Sequence, residues 1–153
     1  MIGAAKLDMH VYEEVEADTR ATGQAMGVVL LASLAGGIGS IGVGTGGLGS
    51  FIIGAIAALI GWVSWAFVTY IIGTRLLPEP QTRADVGELM RTLAFAQSPG
   101  LLRIFGGLPG VGPLVLSLTQ IWLLVAMVIA VRQALDYSST FRAVGVCLVG
   151  WVL

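Results

Sequence analysis

The sequence predicts an all-α fold: a polytopic transmembrane helical bundle of five spans, with a short N-terminal amphipathic helix and a broken third helix. Three observations carry this. Residues Ala21 to Thr74 contain no charged side chain, more than twice the ~20 residues that one bilayer-spanning helix needs. A second uncharged run covers Ile104 to Val131. Charged residues make up 11% of the 153 residues and hydrophobic ones 56%, against ~25% charged in soluble globular domains. A soluble chain of this length has no core large enough to hide such runs. The mean hydropathy is +0.91. The length suits one domain, 1–153. Net charge is −1, with the few charges lying between apolar runs, so no nucleic-acid partner is expected.

The first element is residues 2–18, where Leu7, Val11 and Val15 recur every four residues and form one apolar stripe. This segment, with its boundary at residue 20, either lies on the membrane surface beside the bundle or frays in water. Glu13, Glu14, Glu16 and Asp18 precede the first apolar run. A secretory leader has a positive start instead, so the segment is expected to be retained.

The first span is predicted over 25–44 and the second over 48–72. Between them the glycine-rich GGIGSIGVGTGGLGS suggests a phosphate loop, but no lysine follows Lys6, and that loop requires Gly-Lys-Ser/Thr. The structural reading is a short turn flanked by glycine-faced helix ends. The pairs Gly23–Gly27 and Gly42–Gly46 have small-xxx-small spacing, which lets neighbouring backbones approach in lipid. Trp62 and Trp65 share one side of the second span. Tyr70 and Arg75 mark its exit as an aromatic–basic interface anchor, and Pro78 and Pro80 stop the helix.

Residues 85–105 form the third element. Asp85 and Glu88 have the spacing of a reciprocal capping box. The segment carries Arg91 and Arg103, and Gln97-Ser98-Pro99-Gly100 must interrupt it. Pro99 lacks a backbone donor, and its ring opposes the carbonyl of Phe95. The segment is either a kinked span or a pair of interfacial half-helices, and the kinked span is favoured. Such a break survives at membrane depth only when protein or a wet cavity satisfies it, so it is expected to pack inside the bundle. The fourth span is predicted over 114–131, with Gln120 and Trp122 inside it and Arg132 at its end. Ser139 or Thr140 is a candidate cap for the fifth, 139–153. That segment is short: it either crosses locally thinned bilayer or is the remainder of a clipped helix.

Basic residues set the topology. Lys6 and Arg20 precede span one, Arg75 and Arg83 follow span two, and Arg132 and Arg142 follow span four. The positive-inside rule puts these in the cytoplasm. Five spans then leave the N-terminus inside and the C-terminus outside, with Arg103 near the outer face as a mild violation.

The polar residues at membrane depth are the candidate site: Arg91, Gln97, Ser98, Pro99, Gly100, Arg103 and Gln120. They read either as snorkelling and locally paired groups, with Glu88 beside Arg91, or as a polar seam lining a small cavity. Other chemistry is absent. His10 has no Cys or His partner, Cys147 is the single cysteine, and Ser98 has no histidine downstream. No metal, cofactor or catalytic group is expected, and the chain is not read as an enzyme.

The runs ADVGELMRTLAFAQSPGLLRIFGGLPGVGPLV and IWLLVAMVIAVRQALDYSSTFRAVGVCLVGW resemble the prokaryotic branch of the Yip1 domain family. GWVSWAFVTYIIGTRL and VYEEVEADTRATGQA fit the same pattern, so the resemblance covers nearly the whole chain. It implies a small five-helix membrane protein with a cytoplasmic N-terminus. Eukaryotic relatives are associated with Golgi and endoplasmic-reticulum traffic and with Rab-type small GTPases. This chain lacks their long N-terminal region, which argues against a small-GTPase partner, and its terse loops suggest a bacterial cytoplasmic membrane. The resemblance brings no catalytic residues. The function expected is structural or scaffolding, in membrane organisation or as a small subunit of a membrane complex. Its partners are the lipid bilayer and a second copy or another membrane protein, met through intramembrane contacts. The alternative is a small transporter or channel with a polar site at 85–105.

Overall fold

The computed structural model describes residues 1–42 and 48–152, and every element it forms there is helical. Seven α-helices follow in order: α1 (Ile2–Ala5), α2 (Met9–Ala17), α3 (Thr22–Gly42), α4 (Leu48–Ile71), α5 (Val86–Phe95), α6 (Gly112–Ala134) and α7 (Thr140–Val152). Among the described residues three stretches are long and apolar enough to cross a bilayer: Thr19–Ile41, Phe51–Leu76 and Gly112–Ala134. The protein therefore has the build of a membrane protein.

The N-terminal hairpin forms because Asp8 caps α2, its carboxylate accepting from the His10 N–H at 3.1 Å. Leu7 takes φ 62° in the turn before it. Tyr12 is fully buried, and its hydroxyl donates to the Ala4 carbonyl at 3.1 Å, closing α1 onto α2. The hairpin packs against α5 and α6. Asp18 then caps a 3₁₀ turn, Thr19–Ala21, that leads into α3.

α3 starts three residues earlier than the sequence predicts and is described to Gly42. Residues 43–47, and with them Gly46 of the second small-xxx-small pair, lie outside the described residues. α4 continues as a π-helical turn, Ile72–Leu76, in which Ile72 and Gly73 are buried and Arg75 is exposed. α6 is longer than 114–131. Pro113 occupies its first turn, where no backbone donor is needed, and Arg132 lies in its last turn.

The Asp85–Glu88 capping box is formed, with the Glu88 N–H donating to Asp85 Oδ1 at 2.9 Å and the Asp85 N–H to Glu88 Oε2 at 2.7 Å. α5 is enclosed by α2, α3, α4 and α6, and Leu89 and Arg91 to Ala96 are all buried. The α-helix stops at Phe95, and a 3₁₀ segment runs from Ser98 to Gly107. A Cβ on Gly100 would lie 3.3 Å from the Ala32 Cβ and one on Gly39 only 2.1 Å from the Arg103 carbonyl oxygen. The 3₁₀ segment therefore runs alongside α3 in the same direction, against its small-residue face.

The close backbone approaches fall at other glycines than those expected. Nothing lies within 4 Å of where a Cβ would sit on Gly23 or Gly27. Those two glycines are not a packing surface in this fold. The spacing was right for a contact, but the partner segment meets α3 further along, at Ala32, Gly36 and Gly39.

Candidate functional site

Charge is confined to three stretches of chain. Every acidic residue, and every basic residue except Arg103, belongs to 1–20, 75–91 or 132–142. Side chains tie these stretches together. Arg91, 5% exposed, donates through Nε to the Val15 and Glu16 carbonyls at 3.1 and 3.2 Å and through Nη2 to Glu16 again. Its guanidinium thus serves the free carbonyls at the end of α2. Gln133 Nε2 donates to Glu13 Oε1 at 2.8 Å. Glu79 accepts from the Ser138 main chain at 2.9 Å and its hydroxyl at 2.7 Å, and pairs with Arg142 Nε at 3.4 Å. The buried Tyr137 hydroxyl bonds the Gly73 and Leu77 carbonyls at 3.0 and 2.7 Å. Arg132 closes the α6–α7 loop on the Tyr137 carbonyl at 3.2 Å and Thr140 Oγ1 at 3.2 Å.

Two carboxyls here are displaced in opposite directions. Burial, with Asp136 and Glu88 nearby, raises Glu16 to about 7 against the pull of Arg91. Hydrogen bonds from the Ser138 side chain and main chain hold Glu79 below the usual carboxylate range.

The predicted polar seam divides in two. Arg91 turns to the N-terminal hairpin; among the described residues it forms no ion pair with Glu88 and it does not meet Gln97 or Gln120. Arg103 and Gln120 do meet, Nη2 to Oε1 at 2.9 Å. Ser98, Pro99 and Gly100 are buried. The Ser98 hydroxyl donates to the Phe95 carbonyl at 2.6 Å. That carbonyl would have bonded residue 99 had the helix continued, and proline has no proton to give it.

Gln97 and Arg103 line a cavity of about 280 Å³ between α3, α4, α5 and α6. Trp62 and Trp65 form its α4 wall and Val29, Leu93 and Met127 its apolar remainder. Trp62 is not an interface anchor: it is 7% exposed, and its indole N–H donates to the Met90 carbonyl at 2.8 Å. The Trp65 indole N–H is buried and has no hydrogen-bond partner among the described residues. Tyr70 is half-buried, whereas Trp122 is exposed on α6. Among the described residues no three His, Cys, Asp or Glu side chains converge to hold a metal ion.

The sequence did not single out the Glu79–Ser138–Arg142 cluster, Tyr12 or Tyr137. Each joins segments distant in the chain or bonds a main-chain carbonyl, and neither leaves a local pattern. Comparison with protein-family models, curated proteins and solved structures found no match.

Proposed function

We propose that the chain is a non-enzymatic, Yip1-like integral membrane protein that organises or joins a membrane assembly through intramembrane contacts. The observation carrying this reading is the bare face of α4. Only 11% of its most apolar window is buried. Ile52, Ile53, Ile56, Ile60 and Phe67 are all more than half exposed. Gly54 and Gly61 lie among them, with nothing within 4 Å of a Cβ. In a bilayer, missing side chains allow close helix contact, and van der Waals packing drives it.

In this reading α5 and the following 3₁₀ segment form one interrupted crossing. Ten residues at 1.5 Å and ten at ~2.0 Å reach ~35 Å, against a ~30 Å hydrocarbon core. With α3, α4, α6 and α7 that makes five crossings, the N-terminus cytoplasmic and the C-terminus outside a bacterial cytoplasmic membrane. The confinement of charge to 1–20, 75–91 and 132–142 supports it.

Single-molecule photobleaching in native-membrane nanodiscs tests the assembly. Two or more copies per disc, or a co-purifying membrane protein, are expected, with Gly54→Leu reducing the associated fraction. A single copy alone in every disc would overturn the reading. An impermeant maleimide tests the crossings in a Cys147→Ser background: Val111→Cys should label from outside and Gln81→Cys only after permeabilisation. The cavity favours a second reading, a small transporter, and absence of flux in sealed liposomes would remove it.

A further inference from the structure

We propose that the Arg103 cavity seats the carboxylate of a single-chain fatty acid, and that the apolar groove beside it holds the chain. Charge at the cavity is unbalanced. Arg103 is the one basic residue outside the charged stretches. It is half-buried, and among the described residues its hydrogen bond goes to a neutral amide, Gln120. No carboxylate lines the cavity. A guanidinium carries five donor protons in a planar fork that matches a carboxylate. In an apolar bundle, such a cation calls for an anion.

Two other polar groups at the cavity have donors to offer. The Gln97 side chain makes no hydrogen bond among the described residues, and the Trp65 indole N–H is buried and unpaired. Ser33 has already committed its proton to the Leu30 carbonyl at 2.8 Å. An oxyanion would satisfy the guanidinium, the amide and the indole together.

The apolar part follows from what adjoins the cavity. A groove of about 320 Å³ between α4 and α7 shares Gly61 and Trp65 with it. It runs on past Val68 and Ile72 to Leu76 and Gly150. Gly61 is exposed, so on its side the shared rim carries no side chain, and the Trp65 ring forms the rest of it. A head against Arg103 and one chain along α4 fills both spaces. The other apolar groove near Arg103, lined by Leu102, Phe105 and Trp122, shares no residue with the cavity, so the cavity opens onto room for one chain. A hydrated free anion would have to shed its water against Val29, Leu93 and Met127. The site rests on the proposed membrane reading and shares Gly61 with the bare face of α4, but Arg103 lies off that face and Gly54 lines neither space, so Arg103→Gln tests the site and Gly54→Leu the assembly.

The test is binding of radiolabelled oleate to the full chain in phosphatidylcholine nanodiscs. Saturable binding is expected, displaced by palmitate but not by oleyl alcohol, acetate or inorganic phosphate. Arg103→Gln should weaken it about tenfold or more, the loss expected for a charged, hydrogen-bonded contact. Arg103→Lys should weaken it less. Should Arg103→Gln fail to fold, Trp65→Phe removes only the indole donor and should still weaken binding. Ser64→Trp, at an exposed groove position, should exclude the chain. Equal displacement by oleyl alcohol, or unchanged affinity in folded Arg103→Gln and Trp65→Phe, would overturn the proposal. Displacement by phosphatidylglycerol as strong as by palmitate would overturn the single-chain assignment, and saturable binding of acetate or phosphate alone would overturn the lipid.

Discussion

Replacing Arg91 by methionine should loosen the N-terminal hairpin while leaving the spans intact. The wild-type guanidinium bonds the Val15 and Glu16 carbonyls from a nearly fully buried position. Methionine keeps most of the apolar stem and removes every donor. Hydrogen bonds from a charged group contribute roughly 1.5–3 kcal/mol net, and a buried carbonyl left without a partner costs about 1–3 kcal/mol. Opening of α2 lets water reach those carbonyls, which limits the loss, so ~3 kcal/mol is a reasonable total. That corresponds to about a 100-fold rise in the open population. Tyr12 and Val15 still bury their side chains, so the helix opens more often rather than detaching. Hydrogen exchange of the α2 amides in nanodiscs should accelerate by about that factor, with α3 and α6 unchanged. Arg91→Lys retains charge but not the fork, and should fall between. Unchanged exchange in α2, or equal effects of methionine and lysine, would refute the capping role.

Three further outcomes follow from particular contacts. Gly39→Ala should sharply lower thermal stability in detergent, because its Cβ would lie 2.1 Å from the Arg103 carbonyl oxygen. Gly23→Ala and Gly27→Ala should be neutral or stabilising by about 0.5–1 kcal/mol each, since helical glycine is penalised relative to alanine and nothing crowds either site; a loss of stability would restore them as packing positions. The two displaced carboxyls should give opposite pH dependences, read by hydrogen exchange corrected for intrinsic rates. Glu16 is raised to about 7, so its contribution is full below its ordinary value of 4.5 and lost as pH rises through about 7. α2 should loosen from pH 5 to 8, and Glu16→Gln should remove that dependence. Glu79 is lowered, so its contribution is present above 4.5 and lost as pH falls through its folded value. The α6–α7 loop should loosen in acid, and Glu79→Gln should loosen it at neutral pH.

What the sequence made legible was local. The uncharged runs located three long apolar helices because that property belongs to each segment alone. The Asp85–Glu88 box joins residues three apart, and Pro113 suits a first turn whatever the surroundings. Arg91 illustrates what was hidden. Its partners are main-chain carbonyls 75 and 76 residues away, and a carbonyl has no sequence signature. Glu88, three residues off, was the natural local guess. The glycines fail for a related reason. Small-xxx-small spacing says that a backbone can approach, and only the path of the partner decides between Gly23–Gly27 and Gly36–Gly39. Trp62 was read as an interface residue because tryptophan favours the membrane surface, yet an indole N–H serves a buried carbonyl equally well. The candidate site was half legible. Gln97 and Arg103 line one cavity, while Arg91 belongs to another part of the molecule.

Proline alone does not account for the stretch after α5. Pro99 explains why the α-helix cannot pass that point, and the Ser98 hydroxyl explains how the Phe95 carbonyl is satisfied. Neither explains ten residues of 3₁₀ helix, when runs beyond three or four are uncommon because the hydrogen-bond geometry is poorer. Contacts along the segment supply the difference. Gly39 meets the Arg103 carbonyl, Gly112 meets the Gly106 carbonyl, and Gly100 meets Ala32. A Cβ at Gly39 or Gly112 would come within 2.1 Å of those oxygens, so glycine is what lets α3 and α6 close around the narrower helix. The same closeness places Arg103. Its Cδ lies 3.7 Å from the Cβ position of Gly36, and its guanidinium reaches Gln120 on the opposite side. The glycines of α3, the extended 3₁₀ run and the lone cation at the cavity are therefore parts of one packing arrangement. A change to any of them should be felt at the other two.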